Sequence, residues 1–232
     1  MDLNSLREDN KVWGNSDCTL GHLGDGILNL EFHTKMNTMG AEAIEGINKA
    51  ISVAEKNYKG LVIGNEADNF SAGANLGMLF MLAGNREFDE ISLSVQAFQN
   101  TMMRARYSSI PVVVATSGLT LGGGTELSMH ADQVRAHTET YMGLVEFGVG
   151  IIPSGGGTKE MTLRTSDMYK KGDPELNILM ENFMTIATAK VATSSKEAVA
   201  MGLLKQTDKQ TLNRMSLLSE AKNDVLNLYN EG

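Results

Sequence analysis

Three consecutive glycines stand just before a glutamate in the stretch LGGGTELSM, residues 121–129. Glycine loses more backbone freedom on folding than any other residue, so a run of glycines needs a structural or functional reason. One interpretation is a tight turn from a strand into a helix. The other is that the absent side chains let a ligand oxygen reach a backbone N–H at the helix N-terminus, where the helix dipole favours negative charge. These residues alone leave both interpretations open.

A second loop of small residues, NFSAGANLGML at 69–79, favours the ligand-binding interpretation. It also follows a short apolar run, LVIG, that is typical of a buried strand. Two such loops at corresponding strand ends can direct two N–H donors at one oxygen, which is the oxyanion hole of acyl chemistry. Phosphate is a weaker candidate, because the chain has no GxxxxGKS or GxxxxGKT motif. In addition, GVGIIP (148–153) has proline where a dinucleotide motif has its third glycine.

Two glutamates could supply the acid–base chemistry that would accompany an oxyanion hole. Glu126 begins the helix after the triple glycine, where a carboxylate either acts on a substrate or only complements the helix dipole. Glu146 lies between valine and phenylalanine, either as the solvent-facing residue of an alternating strand or facing inward. In the inward case its apolar neighbours would raise the pKa of its carboxyl and keep it available as a proton donor. The two carboxylates would then form an acid–base pair.

The elements that must position these residues alternate between strands and helices. Short apolar or alternating runs predict strands at 26–32 (half-buried), 60–64 and 111–118. Helical spacing of apolar residues predicts a helix over 39–54, capped by Asn37, and a second helix is predicted over 89–107. This order indicates right-handed βαβ units and an α/β fold.

The second half of the chain is more helical. Ser194 and Glu197 form a predicted capping box, and Gly202 stands where that helix would stop. The stretch 213–229 is predicted to be an amphipathic helix that closes the chain, and 166–175 is predicted to be an inserted polar loop.

Composition argues against several functional classes. The 232 residues carry a net charge of −8 without a cluster of lysine or arginine, so neither a nucleic-acid nor a membrane partner is expected. No apolar run approaches the length of a membrane span. Four histidines and one cysteine show no metal-ligand spacing, so no metal site is predicted. Cys18 cannot form an internal disulfide, which fits a reducing, cytoplasmic setting.

Three segments together resemble the signatures of the crotonase (enoyl-CoA hydratase/isomerase) family: NFSAGANLGML, IPVVVATSGLTLGGGTEL and GLVEFGVGIIPSGGGT. They occur in the family's order and spacing, and the similarity extends over about 21–204. The resemblance implies an α/β fold with a crotonase-like ββα spiral core and C-terminal helices. In that family the N–H groups at the positions of Ala74 and Gly123 hold a thioester carbonyl as the oxyanion hole. Glu126 and Glu146 match the two catalytic glutamates of its hydratases.

The resemblance also implies further substrate-binding residues around the two loops: Met36, Ala72, Asn75, Leu76, Gly122 and Ser154. Three of these depart from the family pattern. Asn75 stands where aspartate is usual, which removes any role that depends on that charge. Ser154 replaces the usual glycine, keeping the N–H but adding bulk, and Met36 stands where leucine is common.

On this basis the chain divides into an N-terminal arm at 1–20, the crotonase-like core at 21–192 and a C-terminal helical segment at 193–232. The insertion SDMYKKGDPELNILMENF and the run ATAKV at 187–191 most resemble hydratase modules fused to a 3-hydroxyacyl-CoA dehydrogenase. The chain is therefore interpreted as one domain of such a fusion. The expected partner besides substrate is either a homotrimer or the dehydrogenase domain of the same polypeptide.

The implied reaction is reversible addition of water to a trans-2-enoyl-CoA, giving a 3-hydroxyacyl-CoA in fatty-acid β-oxidation. Coenzyme A enters as part of the substrate, and no separate cofactor is expected. Two alternatives stay open. One is a Δ3–Δ2 enoyl-CoA isomerase, whose family members typically work with one acid–base carboxylate, whereas this chain has both. The other is a non-catalytic module that docks a 3-hydroxyacyl-CoA dehydrogenase, which would have no reason to keep a costly triple glycine.

Overall fold

The computed structural model of the protein describes residues 10–172 and 174–232. The strands of this part of the chain form one seven-stranded sheet, and their order in the sheet is their order in the sequence. They are β1 (Lys11–Gly14), β2 (Cys18–His22), β3 (Ile27–Phe32), β4 (Gly60–Gly64), β5 (Val112–Leu121), β6 (Gln133–Gly143) and β7 (Lys209–Thr211). The strands from β1 to β3 pair antiparallel, and those from β3 to β7 pair parallel. Parallel pairs need crossover connections, and helices provide them here.

The helices of the described residues are α1 (Ala41–Asn57), α2 (Leu76–Gly84), α3 (Phe88–Arg106), α4 (Gly123–His130), α5 (Gly157–Met168), α6 (Glu175–Ala187), α7 (Ser195–Ala200) and α8 (Leu217–Glu231). The α/β architecture is therefore the predicted one. None of these helices has the length and apolar character needed to cross a bilayer. Residues 1–9 of the predicted N-terminal arm lie outside the described residues, and the rest of the arm supplies β1 and the first three residues of β2 to the sheet.

Helices cover both faces of the sheet centre. Alternate strand residues such as Leu61 and Ile63 pack in one hydrophobic cluster with α1, whereas Val62 packs in another with α8. β3 is consequently buried at every position. The prediction that this strand is half-buried was wrong, because its polar residues are enclosed as well: Asn29 Nδ2 donates to the Gly64 carbonyl at 3.1 Å.

The segment before α1 also differs from its prediction. Asn37 does not cap the helix, which begins at Ala41 with Gly40 as its N-cap. Instead, Met36 and Asn37 both have positive φ, 57° and 51°, in a short 3-10 turn. Asn tolerates this left-handed backbone better than most residues, and its side chain donates to the Asn69 carbonyl at 2.9 Å. Asn37 thus ties the chain before α1 to the loop after β4.

Elements in the second half agree with most of the predicted pattern. Ser194 Oγ accepts a hydrogen bond from the Glu197 N–H at 3.2 Å at the start of α7, and Gly202 follows this helix with φ 73°. The predicted polar loop at 166–175 is shorter than expected, because α5 continues to Met168. α8 begins at Leu217, and a 3-10 turn precedes it.

Candidate active site

The loops after β4 and after β5 lie against each other. Ser71 pairs with the end of β5, donating its N–H to the Leu119 carbonyl at 3.0 Å and accepting from the Leu121 N–H at 2.9 Å. Gly73 has φ 95°, and a Cβ there would lie 2.9 Å from the Leu121 carbonyl oxygen and 3.2 Å from the Gly123 nitrogen. Only glycine fits this close approach.

Each loop places at the cavity a backbone N–H that donates no hydrogen bond within the described residues. Met39 bridges the groups on either side of Ala74, donating to the Gly73 carbonyl and accepting from the Asn75 N–H, so the Ala74 N–H is left over. Gly123 is the first residue of α4, and its N–H has no intrahelical acceptor. Both residues line the same cavity, so both donors are available to a ligand there.

The cavity has a volume of about 340 Å³ and brings the two candidate acid–base residues, Glu126 and Glu146, to these two N–H donors. The rest of its wall is mainly apolar, with helices α1, α2 and α3 contributing Ile44, Met78, Leu79, Val95 and Phe98. Such a cleft, apolar with a few convergent polar groups, is typical of a small-molecule site. The arrangement can hold a carbonyl oxygen next to two carboxyl groups.

Glu126 is held by a second glycine run that begins α5. Its Oε1 accepts a hydrogen bond from the Gly157 N–H at 2.8 Å, and the N–H groups of Gly156 and Gly155 also stabilise its ionised form. A Cβ on Gly155 would collide with Oε2 of Glu126. Burial raises the pKa of Glu126 above its ordinary value, and the three N–H groups oppose that rise. We refer to 155–157 as the glycine turn.

Glu146 has a different environment, although it faces the same cavity. It begins a 3-10 turn, Glu146–Val149, and therefore does not lie in an alternating strand. Its Oε2 is buried and has no hydrogen-bond partner within the described residues. Burial, followed by the charge of Glu126, raises the pKa of Glu146 to about 8. At neutral pH Glu146 is therefore mainly protonated.

The other residues implied to bind substrate are spread around the cavity. Asn75 and Ser154 line it, and Asn75 also caps α2 by accepting from the Met78 N–H at 3.4 Å. Gly122 adjoins Glu146, since a Cβ there would lie 3.0 Å from Oε1. Three residues do not line the cavity: Met36, Ala72 and Leu76. Met36 is exposed beside a separate acidic hollow, and its carbonyl accepts from the Ala72 N–H.

Sequence reasoning missed the glycine turn and Phe98. The signal for the turn was present, because 155–157 is a second triple glycine immediately before a helix, like the run at 122–124. Phe98 carried no local signal. Its ring lies beside both glycine runs, with Cζ 2.6 Å from a Cβ built on Gly123 and Cδ1 2.5 Å from one built on Gly155. A Cβ at either position would collide with the ring as it stands.

A family model described as enoyl-CoA hydratase/isomerase matches residues 23–208. The probable 3-hydroxyacyl-CoA dehydrogenase of Bacillus subtilis is 45% identical over 231 residues, which are 99% of this chain and 29% of that protein. A putative fatty acid oxidation complex trifunctional enzyme of Rickettsia felis is 37% identical over 60% of this chain and 19% of that protein. The chain thus spans less than a third of the length of these relatives.

Solved structures share the fold. An enoyl-CoA hydratase from Bacillus halodurans has a TM-score of 0.77 at 18% identity, covering 94% of this chain and 81% of the other. An enoyl-CoA hydratase from Polaromonas sp. JS666 has a TM-score of 0.74 at 24% identity, covering 91% and 77%. The likeness confirms the predicted crotonase-like core with C-terminal helices.

Proposed function

The chain belongs to the enoyl-CoA hydratase/isomerase family, and we propose that its activity is the hydration of trans-2-enoyl-CoA to 3-hydroxyacyl-CoA. One observation carries the choice of hydration. A buried carboxyl group, Glu126, and a partly buried one, Glu146, face one cavity in different electrostatic environments, together with two free N–H groups. Hydration uses both a base and an acid, whereas a double-bond isomerase can move one proton with a single carboxylate.

In the proposed reaction, the Ala74 and Gly123 N–H groups hold the thioester oxygen and stabilise the negative charge that develops on it. Glu126, whose ionised form is stabilised by the N–H groups of the glycine turn, takes a proton from a water molecule as the water oxygen bonds to C3. Glu146, protonated at neutral pH, gives its proton to C2. The C2–C3 double bond becomes single, and solvent then returns the two carboxyl groups to their starting protonation states.

The test is a spectrophotometric assay of the purified 232-residue chain with crotonyl-CoA and with a longer trans-2-enoyl-CoA. Hydration removes the conjugated double bond, so absorbance of the enoyl thioester should fall. A 3-enoyl-CoA offered in parallel tests the isomerase alternative, because isomerisation would create that absorbance. The proposal is contradicted if the chain converts the 3-enoyl-CoA and leaves crotonyl-CoA unchanged. If neither reacts, the docking-module alternative gains support.

We propose that hydration needs no cofactor, with coenzyme A entering only as part of the substrate. The site as described has backbone N–H groups for the role that a Lewis acid would otherwise fill. Hydration by the chain should therefore be equal with and without EDTA treatment and with and without added NAD. A rate that falls after EDTA and returns with a divalent metal would contradict this.

We also propose that the chain works in the cytoplasm in fatty-acid β-oxidation, either as a homotrimer or beside a dehydrogenase domain of the same polypeptide. A 3-hydroxyacyl-CoA is the chemical substrate of a dehydrogenase that oxidises C3, and the Bacillus subtilis relative carries that name. A surface for such a partner is available on α6, which exposes Leu176, Leu179, Met180, Phe183 and Met184. An apolar face of this kind is typical of protein contacts.

A further inference from the structure

A cluster of titratable side chains, two of them buried, lies behind the glycine turn and outside the cavity lining. His130, the last residue of α4, is buried, as is Glu160 in the first turn of α5. Glu160 Oε1 lies 2.6 Å from Arg106 Nη1 of α3, 3.1 Å from Lys159 Nζ and 3.6 Å from His130 Nε2. Arg164 approaches Oε2 at 4.0 Å. The proposed chemistry does not use any of these side chains.

The imidazole of His130 has a defined tautomer. Its Nδ1 lies 2.7 Å from the main-chain oxygen of Glu126, and a carbonyl oxygen can only accept, so Nδ1 carries the hydrogen. Its Nε2 lies 3.0 Å from Lys159 Nζ, which is a donor, so Nε2 accepts in the neutral ring. Burial lowers the pKa of His130 and supports this neutral form. One ring therefore links the backbone of Glu126 to α5.

The same ring lies directly against the glycine turn. Gly156 has φ 136°, and a Cβ there would lie 2.5 Å from His130 Cε1 and 2.8 Å from Nε2. The Gly156 carbonyl accepts from the Glu160 N–H at 2.9 Å, so the turn is also fixed from the α5 side. Although burial raises the pKa of Glu160, hydrogen bonds from Arg106 and Lys159 hold it below its usual range. Glu160 therefore ionises more readily than an ordinary glutamate, and its contacts anchor the start of α5.

We infer that His130 is a positioning residue for Glu126: its ring packs against Gly156 and holds the glycine turn so that the turn's N–H groups face the Glu126 carboxylate. The inference rests on the proposed function, in which Glu126 is the base. His130 contacts both sides of the Glu126–turn interaction, namely the Glu126 main chain and the Gly156 backbone. Groups placed in this way can change a rate about a hundredfold through small displacements of the catalytic atom.

Two substitutions distinguish the effect of the His130 ring from the effect of its hydrogen bond. His130→Asn keeps a donor near the position of Nδ1 but removes most of the ring, so the turn can collapse toward the vacated space. His130→Phe keeps the ring and removes the donor. The acid limb of the pH profile of kcat/KM reports the free-enzyme pKa of the base, and carboxylates that lose N–H donors have a higher pKa.

We expect His130→Asn to move the acid limb up by about one pH unit and to lower kcat about tenfold or more near neutral pH, with KM changed little. His130→Phe should keep the parental acid limb. The groups that face His130 are Arg106, Lys159 and Glu160, and all three are unchanged in both variants. His137→Ala is the matched control, because this histidine lies on β6 away from the cavity.

The outcomes are distinguishable. A parental protein without hydratase activity contradicts the proposed function itself. An active parent with an unshifted acid limb in a folded His130→Asn protein overturns only the positioning role. A His130→Phe protein with the same displaced limb as His130→Asn would assign the effect to the hydrogen bond and also overturn the role of the ring. Melting temperatures recorded for each variant show that a displaced limb is measured on folded protein, and either substitution is informative if the other does not fold.

Discussion

The carboxyl groups of the two glutamates in this site differ in their hydrogen-bond partners. Glu126 accepts backbone N–H groups from the glycine turn, while Glu146 has a buried oxygen without a partner and a pKa raised to about 8. The sequence could nominate both residues, because their motifs are local. It left their protonation open, since the N–H donors of Glu126 come from residues about 30 positions later in the chain.

Replacing either carboxyl group by an amide tests their roles. Glu126→Gln and Glu146→Gln should each lower the hydration rate about 10²–10⁴-fold, because each removes a proton-transfer group, while binding of a saturated acyl-CoA should change little. Steady-state kinetics and a binding titration measure the two effects. Glu139→Gln, at an exposed position on β6, is the control and should match the parent. A Gln variant at 126 or 146 with the parental rate would remove that residue from the mechanism.

At the scale of single elements, short-range patterns predicted most strands and helices but misassigned their ends. Asn37 was assigned as a cap from its type alone, whereas the chain makes a left-handed turn before α1. The alternative in which Glu146 is the solvent-facing residue of an alternating strand was also wrong, because Glu146–Val149 is a 3-10 turn. The first difference accompanies a contact between loops distant in sequence, the hydrogen bond from Asn37 to the Asn69 carbonyl, which a local pattern does not contain.

The N-terminus of α4 offers a direct test at this scale. Gly123→Val should abolish hydration, because a Cβ there meets Phe98 Cζ at 2.6 Å and Met39 Cε at 3.0 Å and displaces the N–H from the cavity. Enolate-like analogues should lose more affinity than saturated acyl-CoA, since the two donors bind the developing oxyanion more strongly than the ground-state carbonyl.

The control for that change is Gly21→Val, because the nearest atom to a Cβ on Gly21 is 3.7 Å away. If the glycines at 122–124 serve only the turn, melting temperature and activity should instead fall in parallel in Gly123→Val. A Gly123 variant that melts like the parent and hydrates crotonyl-CoA at the parental rate would refute the oxyanion-hole assignment.

At the scale of the whole molecule, the order of strands and helices was sufficient to predict an α/β fold. The burial of β3 on both faces was not predicted, because it depends on α8, which returns from the end of the chain to cover the face opposite α1. This long-range packing encloses the polar groups of β3. The local sequence identifies the candidate catalytic residues, whereas the folded structure determines their pKa values.

The raised pKa of Glu146 should make the stability of the ligand-free protein depend on pH. Its folded-state pKa is raised to about 8, so between its ordinary value near 4.5 and pH 8 the native state holds a proton that the unfolded state lacks. Stability from this group is therefore present at low pH and lost as pH rises through that window, by on the order of a few kcal/mol. The melting temperature should decrease less steeply between pH 5 and pH 8 for Glu146→Gln than for the parent. Equal slopes would contradict the raised pKa.

The exposure of helix α2 affects how often this part of the protein opens locally. None of its residues is buried, Phe80 and Met81 are 58% and 61% exposed, and yet Met78 and Leu79 form part of the cavity wall. Few buried contacts mean a low free energy of local opening. Amide hydrogens of α2 should therefore exchange with deuterated solvent sooner than those of β4 and β5, and a bound acyl-CoA should slow them selectively. If α2 exchanges as slowly as the central strands in the free protein, substrate entry does not depend on this helix opening.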